Sequence, residues 1–542
     1  MTQRLYHNPV LAADWSDPDA IRVGDDFYLV ASSFHRVPGL PILHSRNLVD
    51  WTIVGHALDR LEPATEFATP QHGRGIWAPA IRFHAGLFWI FYPDPDRGIF
   101  VTTAPAVTGP WRRPQPLKSG RGLIDPCPLW DTDGTAYLVH AWARSRAGFN
   151  NRITCHRMSP DATRLLDDGR TIIDGDRIPG CRTLEGPKAY RRGDRYWIFA
   201  PAGGVADGWQ YAFRARRIYG PYEHRIVLAR GDTEVNGPHQ GAWLDTSAGQ
   251  HWFLHFQDRG AHGRVVYLQP MRWAEDDWPR IGDGTGAGPG TPVRSHPVPA
   301  VGRDDTATDV PADDADGTAT GGDLATGRLG PQWYWPANPR SSWWSPGPPG
   351  ALRLACVRSA ALADLRQLPN VLGQRLPADP GTVSTTVTLH SDVPGARAGL
   401  TILGRGYAWI GLERTATGIA LVHRTAPAPG AASSGARTTG SGGGVGGFAP
   451  VPGPAPAETD LARPVPLPTG QRAATLRIHL GPGAVCRFAA APGQDPPVPL
   501  GTPFVALPGH WVGATVGLFA AAPPGDGPAG HAEISRFTMV GS

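Results

Sequence analysis

Short apolar runs alternate with polar turns along the first half of the chain, and five stretches share one layout. They are "SDPDAIRVGDDFYLVASSF" from Ser16, "IWAPAIRFHAGLFWIFYPD" from Ile76, "IDPCPLWDTDGTAYLVHAWA" from Ile124, "LEGPKAYRRGDRYWIFAPAG" from Leu184 and "GPHQGAWLDTSAGQHWFLHFQ" from Gly237. Each opens on a polar or aromatic residue near a proline, continues as a short apolar run, turns through polar or glycine residues and returns as a run rich in Tyr, Trp, Phe and Leu. This is the pattern of a β-hairpin. The leading residues Asp17, Trp77, Asp125, Glu185 and His239 are 60, 48, 60 and 54 positions apart, a propeller-like spacing. Further strand-like runs lie between the hairpins, such as "LPILHSRNLVDWTIVGHAL" and "GIFVTTAPAVTGPW". Four short antiparallel strands per repeat make a blade, and radial arrangement protects the blade edges. The expected fold is all-β, with a five-bladed β-propeller over residues 1–300.

The pattern changes after "MRWAEDDWPRIG". Residues 283–329 are rich in Gly, Asp, Thr and Pro, and 301–329 reads as a linker or mobile loop. From residue 330 to 542 short strands return, including "TVSTTVTLH", "ARAGLTILGRGYAWIGLER" and "HWVGATVGLFAAA". Two packed antiparallel sheets, a β-sandwich, are expected there. The stretch from roughly 425 to 460 has few large apolar groups and reads as a disordered loop within that sandwich.

Composition narrows the function classes. The chain has 542 residues and a formal charge of +4 with dispersed Lys and Arg, which does not suggest a nucleic-acid partner. Gly 69, Pro 57 and Trp 19 suit a turn-dense protein with an indole-lined cleft. The five cysteines are widely separated and include no C-x-x-C pair, against both a disulfide framework and a zinc knuckle. No run of about 18 apolar residues occurs, so no membrane partner is expected. The opening "MTQRLYHNPVLAADW" lacks a signal-peptide core, and a cytoplasmic protein is the expectation.

In a propeller, equivalent positions of successive blades face one another around the axis. Asp17, Asp125 and Glu185 are therefore expected at one end of the central channel, walled by Trp77 and capped by His239. The plainer alternative is turn chemistry, with aspartate bonding its own backbone before proline. Two carboxyls across a cleft suit acetal hydrolysis, in which one protonates the departing oxygen and the other activates water or attacks the anomeric carbon. A third carboxylate raises the acid's pKa by like-charge repulsion.

The quoted motifs, with "HFQDRGAHGRVVYLQPMRW", together resemble the family 43 glycoside hydrolases, specifically the β-xylosidase and α-L-arabinofuranosidase branch with a carboxyl-terminal, concanavalin-like β-sandwich (jelly-roll). The resemblance implies an exo-acting, inverting hydrolase that releases β-D-xylose, α-L-arabinofuranose or both from small oligosaccharides. It also implies that Asp17 is the general base, that Asp125 tunes and orients the acid, and that Glu185 is the general acid. Phe34, Trp77 and Trp142 match the aromatic subsite walls, and Arg264 matches an arginine that binds sugar hydroxyls. For His239 two readings stay open, a calcium ion held near it or a hydrogen-bonded imidazole without metal, and no cofactor is required. Trp511 lies near the place where the accessory domain of such enzymes reaches the pocket, with Trp343 or Trp344 as other candidates, and sandwich packing is the role expected first for each of them. Linkage preference and oligomeric state are left open. A retaining fructosidase of the invertase type and a non-catalytic carbohydrate-binding propeller are the competing readings. "SDPDA" and "EGP" depart from the fructosidase motifs.

Overall fold

A computed structural model describes residues 4–284, 288–301, 328–430 and 457–541. Five four-stranded antiparallel sheets, each a simple meander, occupy the first half. They begin at Asp19–Val23, Ala80–His84, Leu123–Trp130, Lys188–Arg192 and His239–Asp245, and end at Thr52–Leu58, Gln115–Ser119, Arg170–Asp174, Glu223–Leu228 and Pro279–Ile281. This is a five-bladed β-propeller.

Apolar layers between neighbouring blades hold the ring together. Val30, Ile42, Ile81 and Ile90 join blades one and two, and Phe91, Leu123 and Leu138 join two and three. Val139 and Ile198 join three and four; Trp197, Phe199 and Phe253 join four and five. Phe27, Leu29, Ala242 and Leu254 close five onto one. Each fully buried Phe or Leu contributes about 1.5–3 kcal/mol. The amino-terminal segment straps the closure. Leu11 bridges Val266, the Trp15 N–H donates to the Arg264 carbonyl at 2.8 Å, and Arg22 pairs with Asp245 at 3.0 Å.

The second half is a two-sheet β-sandwich. One sheet contains His531–Gly541 between Ala351–Ala355 and Gly381–His390, and the other contains Thr515–Ala522 beside Arg397–Leu403. Leu352, Val383, Val387, Leu400, Ile410, Val516 and Ile534 fill the space between the sheets. The five cysteines are free. Among the described residues no helix is long and apolar enough to cross a membrane. The linker expected at 301–329 falls, apart from its ends, outside the described residues. So does most of the loop expected at 425–460, although its margins lie in strands Ile419–Ala426 and Thr459–Pro466.

The two halves meet through a charged hub. Asp14, almost fully buried, accepts from Arg36 Nη1 at 2.8 Å and from the Gly513 N–H at 2.9 Å through Oδ2. Its Oδ1 accepts from Ser16 Oγ and the Arg264 N–H at 3.0 and 3.1 Å. Burial alone pushes this carboxyl up, but Arg36 and the two amides outweigh burial and hold it below its ordinary value. Arg375 donates to the Asp14 carbonyl at 2.8 Å and lies 3.8 Å from the Trp15 ring centroid. Main-chain pairing of Val37 with Trp335, and Ala514 N–H to Ala261 O at 2.7 Å, extend the contact.

Candidate active site

The blades enter their first strands through a shared device. Asp17, Asp125, Gly186 and Gly237 each precede proline and have φ of 54°, 54°, 60° and 42°. Left-handed backbone is uncommon for non-glycine residues and costs energy that the surrounding fold must hold. The two glycines adopt it freely; the two aspartates do so under constraint. The pre-proline residue of blade two is Ala78. This corrects the repeat register read from sequence: Glu185 and Trp77 stand one residue before the equivalent position, and His239 two after it.

His239 is instead the register equivalent of Asp19, Ala80, Cys127 and Lys188, each paired with the second strand of its own blade. These residues form a layer beneath the carboxyls. Lys188, fully buried, lies 3.7 Å from Asp19 and donates to the Pro79 carbonyl at 3.0 Å. Asp19 also pairs with Arg82 at 2.7 Å. This buried ion network supports the site from below.

Above it the three acids share one field. Asp17 Oδ1 accepts from Arg264 Nη1 at 2.7 Å, and Oδ2 accepts from Ser32 Oγ at 2.6 Å. Asp125 Oδ2 accepts from the Gly186 N–H at 2.7 Å, which ties it to the residue after Glu185. Burial pushes the Asp125 carboxyl up to about 7, against the Gly186 hydrogen bond and with help from Asp17. Glu185 is pushed up to about 8, first by burial, then by Asp125 and Asp17, with Arg264 opposing. A quarter of its side chain still reaches solvent, so a substrate can reach it. Burial and the neighbouring acids thus favour the protonated form of Glu185, while Asp17 beside it is hydrogen-bonded by an arginine and a serine.

His239 Nε2 approaches Glu185 Oε1 at 3.5 Å, and its ring packs at 5.1 Å on Phe256. Burial and then Arg264 push the imidazole down to about 3, so it is neutral. Calcium takes about six to eight oxygens. Among the described residues no group of three His, Cys, Asp or Glu ligand atoms gathers here, so the residues present do not fit a protein-built calcium cage.

The aromatic candidates divide. Trp77 lies 6.2 Å from Phe34 and 6.3 Å from Trp511, with the Arg146 guanidinium 5.1 Å from its ring. Trp511 is 40% exposed and lies 5.9 Å from the Arg264 guanidinium, so the sandwich supplies a ring to the propeller site. Phe34 is buried. Trp142 bonds Thr154 at 2.9 Å and packs on Phe149 and His140, all in its own blade. Trp343 is buried against Trp335 in the sandwich core, with Trp344 beside it. Sequence reasoning missed Asp14, Ser32, Asp19, Lys188 and Arg146. The second aspartate of "SDPDA" was a signal for Asp19; nothing local marked the others.

A propeller whose axis ends in three facing carboxyls, an arginine and aromatic walls defines a carbohydrate-cleaving class of protein. Comparison with known proteins narrows the class. Residues 6–279 match the model for glycosyl hydrolases family 43, and residues 323–427 match the beta xylosidase C-terminal concanavalin A-like domain. The chain belongs to glycosyl hydrolases family 43 and is a glycoside hydrolase. It is 39% identical over 75% of its length to a protein of Xylanibacter ruminicola with the provisional name beta-xylosidase, covering 72% of that protein. It is 33% identical to a beta-xylosidase of Formosa agariphila, over 64% of this chain and 61% of that one. With a non-reducing end alpha-L-arabinofuranosidase of Bacteroides ovatus the identity is 28%, over 78% of this chain and 79% of that one. Among solved structures, the fold is similar to a xylan beta-1,4-xylosidase of Bacillus halodurans, with TM-score 0.80, 23% identity and coverage of 98% and 99%.

Proposed function

We propose that this chain is an exo-acting, inverting glycosidase that removes a terminal pentose, β-D-xylose or α-L-arabinofuranose, from short oligosaccharides. The observation that carries the reading is the elevation of Glu185 to about 8 beside Asp17, which is held by Arg264 and Ser32. Asp17 takes a proton from water as the water oxygen attacks the anomeric carbon. The bond to the departing oxygen breaks, and Glu185 delivers its proton there. Asp125 keeps Glu185 protonated through its charge and fixes the loop through Gly186. Such a pair is separated by about 6.5–9.5 Å, with the water between base and sugar. Trp77 and Trp511 offer faces to the C–H side of a pentose. A ring contributed by the second domain closes one flank and favours chain ends. The names of the relatives support both pentoses.

Parallel assays of 4-nitrophenyl β-D-xyloside, 4-nitrophenyl α-L-arabinofuranoside and xylobiose test the proposal. Turnover of at least one aryl pentoside together with release of monosaccharide is expected; inactivity on all three overturns it. His239 acts in this scheme as a neutral imidazole against Glu185, so dialysis against EDTA should leave kcat unchanged. A loss restored by Ca2+ would make His239 part of a metal site.

A further inference from the structure

A second cluster of chemistry-bearing side chains lies on the sandwich, outside the glycosidase site. His390 ends strand Gly381–His390 and is the cross-strand partner of His531, the first residue of strand His531–Gly541. Glu533 follows two residues later, on the same face because strand side chains alternate with period two. The imidazoles are stacked with centroids 4.8 Å apart. Glu533 Oε2 is 3.5 Å from His390 Nε2, and Oε1 is 3.8 Å from His531 Nε2. One ligand atom from each of the three residues falls within 4.8 Å of the others. Bonds of about 2.1 Å at tetrahedral angles hold ligand atoms about 3.3–3.5 Å apart, so small rotations bring these three onto one ion.

Two further observations point to a ligand. His390 Nε2 is shielded from solvent and makes no hydrogen bond, although it faces a carboxylate oxygen. An imidazole nitrogen in that position gains a partner when a cation binds between it and the carboxylate. Arg353, across from Glu533 on strand Ala351–Ala355, occupies Oε1 at 3.0–3.1 Å. Oε2 is left toward His390. Two imidazoles and one carboxylate are the donor set of a borderline divalent ion such as Zn2+, whereas Ca2+ and Mg2+ prefer oxygen throughout.

We propose that His390, His531 and Glu533 form a binding site for a divalent transition-metal ion, Zn2+ the representative, which pins the carboxyl-terminal strand to its neighbour and lies apart from the glycosidase centre. The ion takes Glu533 Oε2, which Arg353 leaves free, and keeps positions open to water. Its role is to hold the sheet, since the three ligands come from two paired strands. Arg353 opposes the ion by like charge, so the arginine and the metal compete for Glu533.

The test uses the full-length, untagged, EDTA-treated protein titrated with ZnCl2 by calorimetry, and with Co2+ by visible absorption. Saturable one-to-one Zn2+ binding and a rise in Tm with Zn2+ are expected. His531→Ala and His390→Ala should each weaken binding at least about 100-fold, more than the roughly 10- to 100-fold cost of losing a supporting group. Arg353→Gln should tighten it, which a merely adventitious histidine pair would not show. Cobalt should give the intense visible bands of a low-coordinate nitrogen and oxygen site, lost in His531→Ala. Glycosidase activity should be the same in all three variants. All three positions are partly exposed, so the variants are expected to fold, and unchanged activity verifies that they do. Absence of saturable Zn2+ binding, or binding unaltered in both histidine variants, overturns the proposal.

Discussion

Replacing Asp125 with asparagine removes one negative charge beside Glu185 and keeps an oxygen for the Gly186 N–H, now accepted at 2.7 Å. Glu185 stands at about 8 because of burial first and Asp125 second, with Asp17 adding and Arg264 subtracting. Loss of the second contribution favours the ionised carboxylate, so its proton leaves at lower pH. A like charge held close in a poorly solvated site shifts a carboxyl by on the order of one pH unit, about 1.4 kcal/mol. Asp125 itself stands at about 7, so the alkaline limb of the parent enzyme belongs to the coupled pair. The assay is kcat/KM for xylobiose across roughly pH 5 to 9, which reports the free enzyme's essential acid. The parent should lose activity with a midpoint near 8, and Asp125→Asn should lose it about one unit lower. A limb that stays in place, or moves toward alkaline pH, would refute the electrostatic role given to Asp125.

Glu185→Gln should cut xylobiose hydrolysis by at least about 100-fold and activated aryl glycosides far less, because good leaving groups need little protonation; equal losses would count against Glu185 as the acid. The same variant should alter stability. A carboxyl raised from 4.5 to about 8 by folding leaves the protein most stable below 4.5, with stability lost as pH rises through about 8. Glu185→Gln should therefore be more resistant to denaturant near pH 8.5, by up to a few kcal/mol, and equal to the parent near pH 4; the reverse order contradicts the elevation. Asp14→Ala strands Arg36 in the domain interface and should destabilise the fold by about 3–5 kcal/mol in urea denaturation; a change under about 1 kcal/mol would show that the hub does not hold the halves together. Trp511→Ala should reduce kcat/KM about 3- to 10-fold, matching the roughly 0.5–1.5 kcal/mol of an aromatic contact, with Tm unchanged. An unaltered kcat/KM would remove the sandwich from the pocket.

The propeller was legible because each blade's hairpin repeats a visible pattern, a proline entry followed by two apolar runs. The phase of the repeat was harder to read. Glu185 and His239 look like counterparts of Asp17, but the backbone aligns Asp17 with Gly186 and Gly237, since the left-handed pre-proline residue sets the register. His239 stands two residues past that position, level with Asp19 and Lys188, and this places it in the layer beneath the acids. Asp14 was illegible for another reason. Its partners Arg264 and Gly513 lie 250 and 499 positions away, and an aspartate beside a tryptophan has no local mark of an interface hub. Lys188 and Asp19 lie 169 positions apart, so their pairing has no local mark. They are buried because each neutralises the other near the propeller axis. Trp511 was one of three tryptophan candidates, and only the fold separates the exposed ring from the two near the sandwich core.

Inversion requires Asp17 and Glu185 to act from opposite faces of one sugar. Proton NMR of xylobiose hydrolysis, recorded before mutarotation equilibrates the product, reads that arrangement directly. The first xylose released from the non-reducing end should be the α-anomer, inverted at the anomeric carbon. Release of the β-anomer would mean that a carboxylate attacks the sugar itself, and the assignment of Asp17 as a base holding water would be wrong.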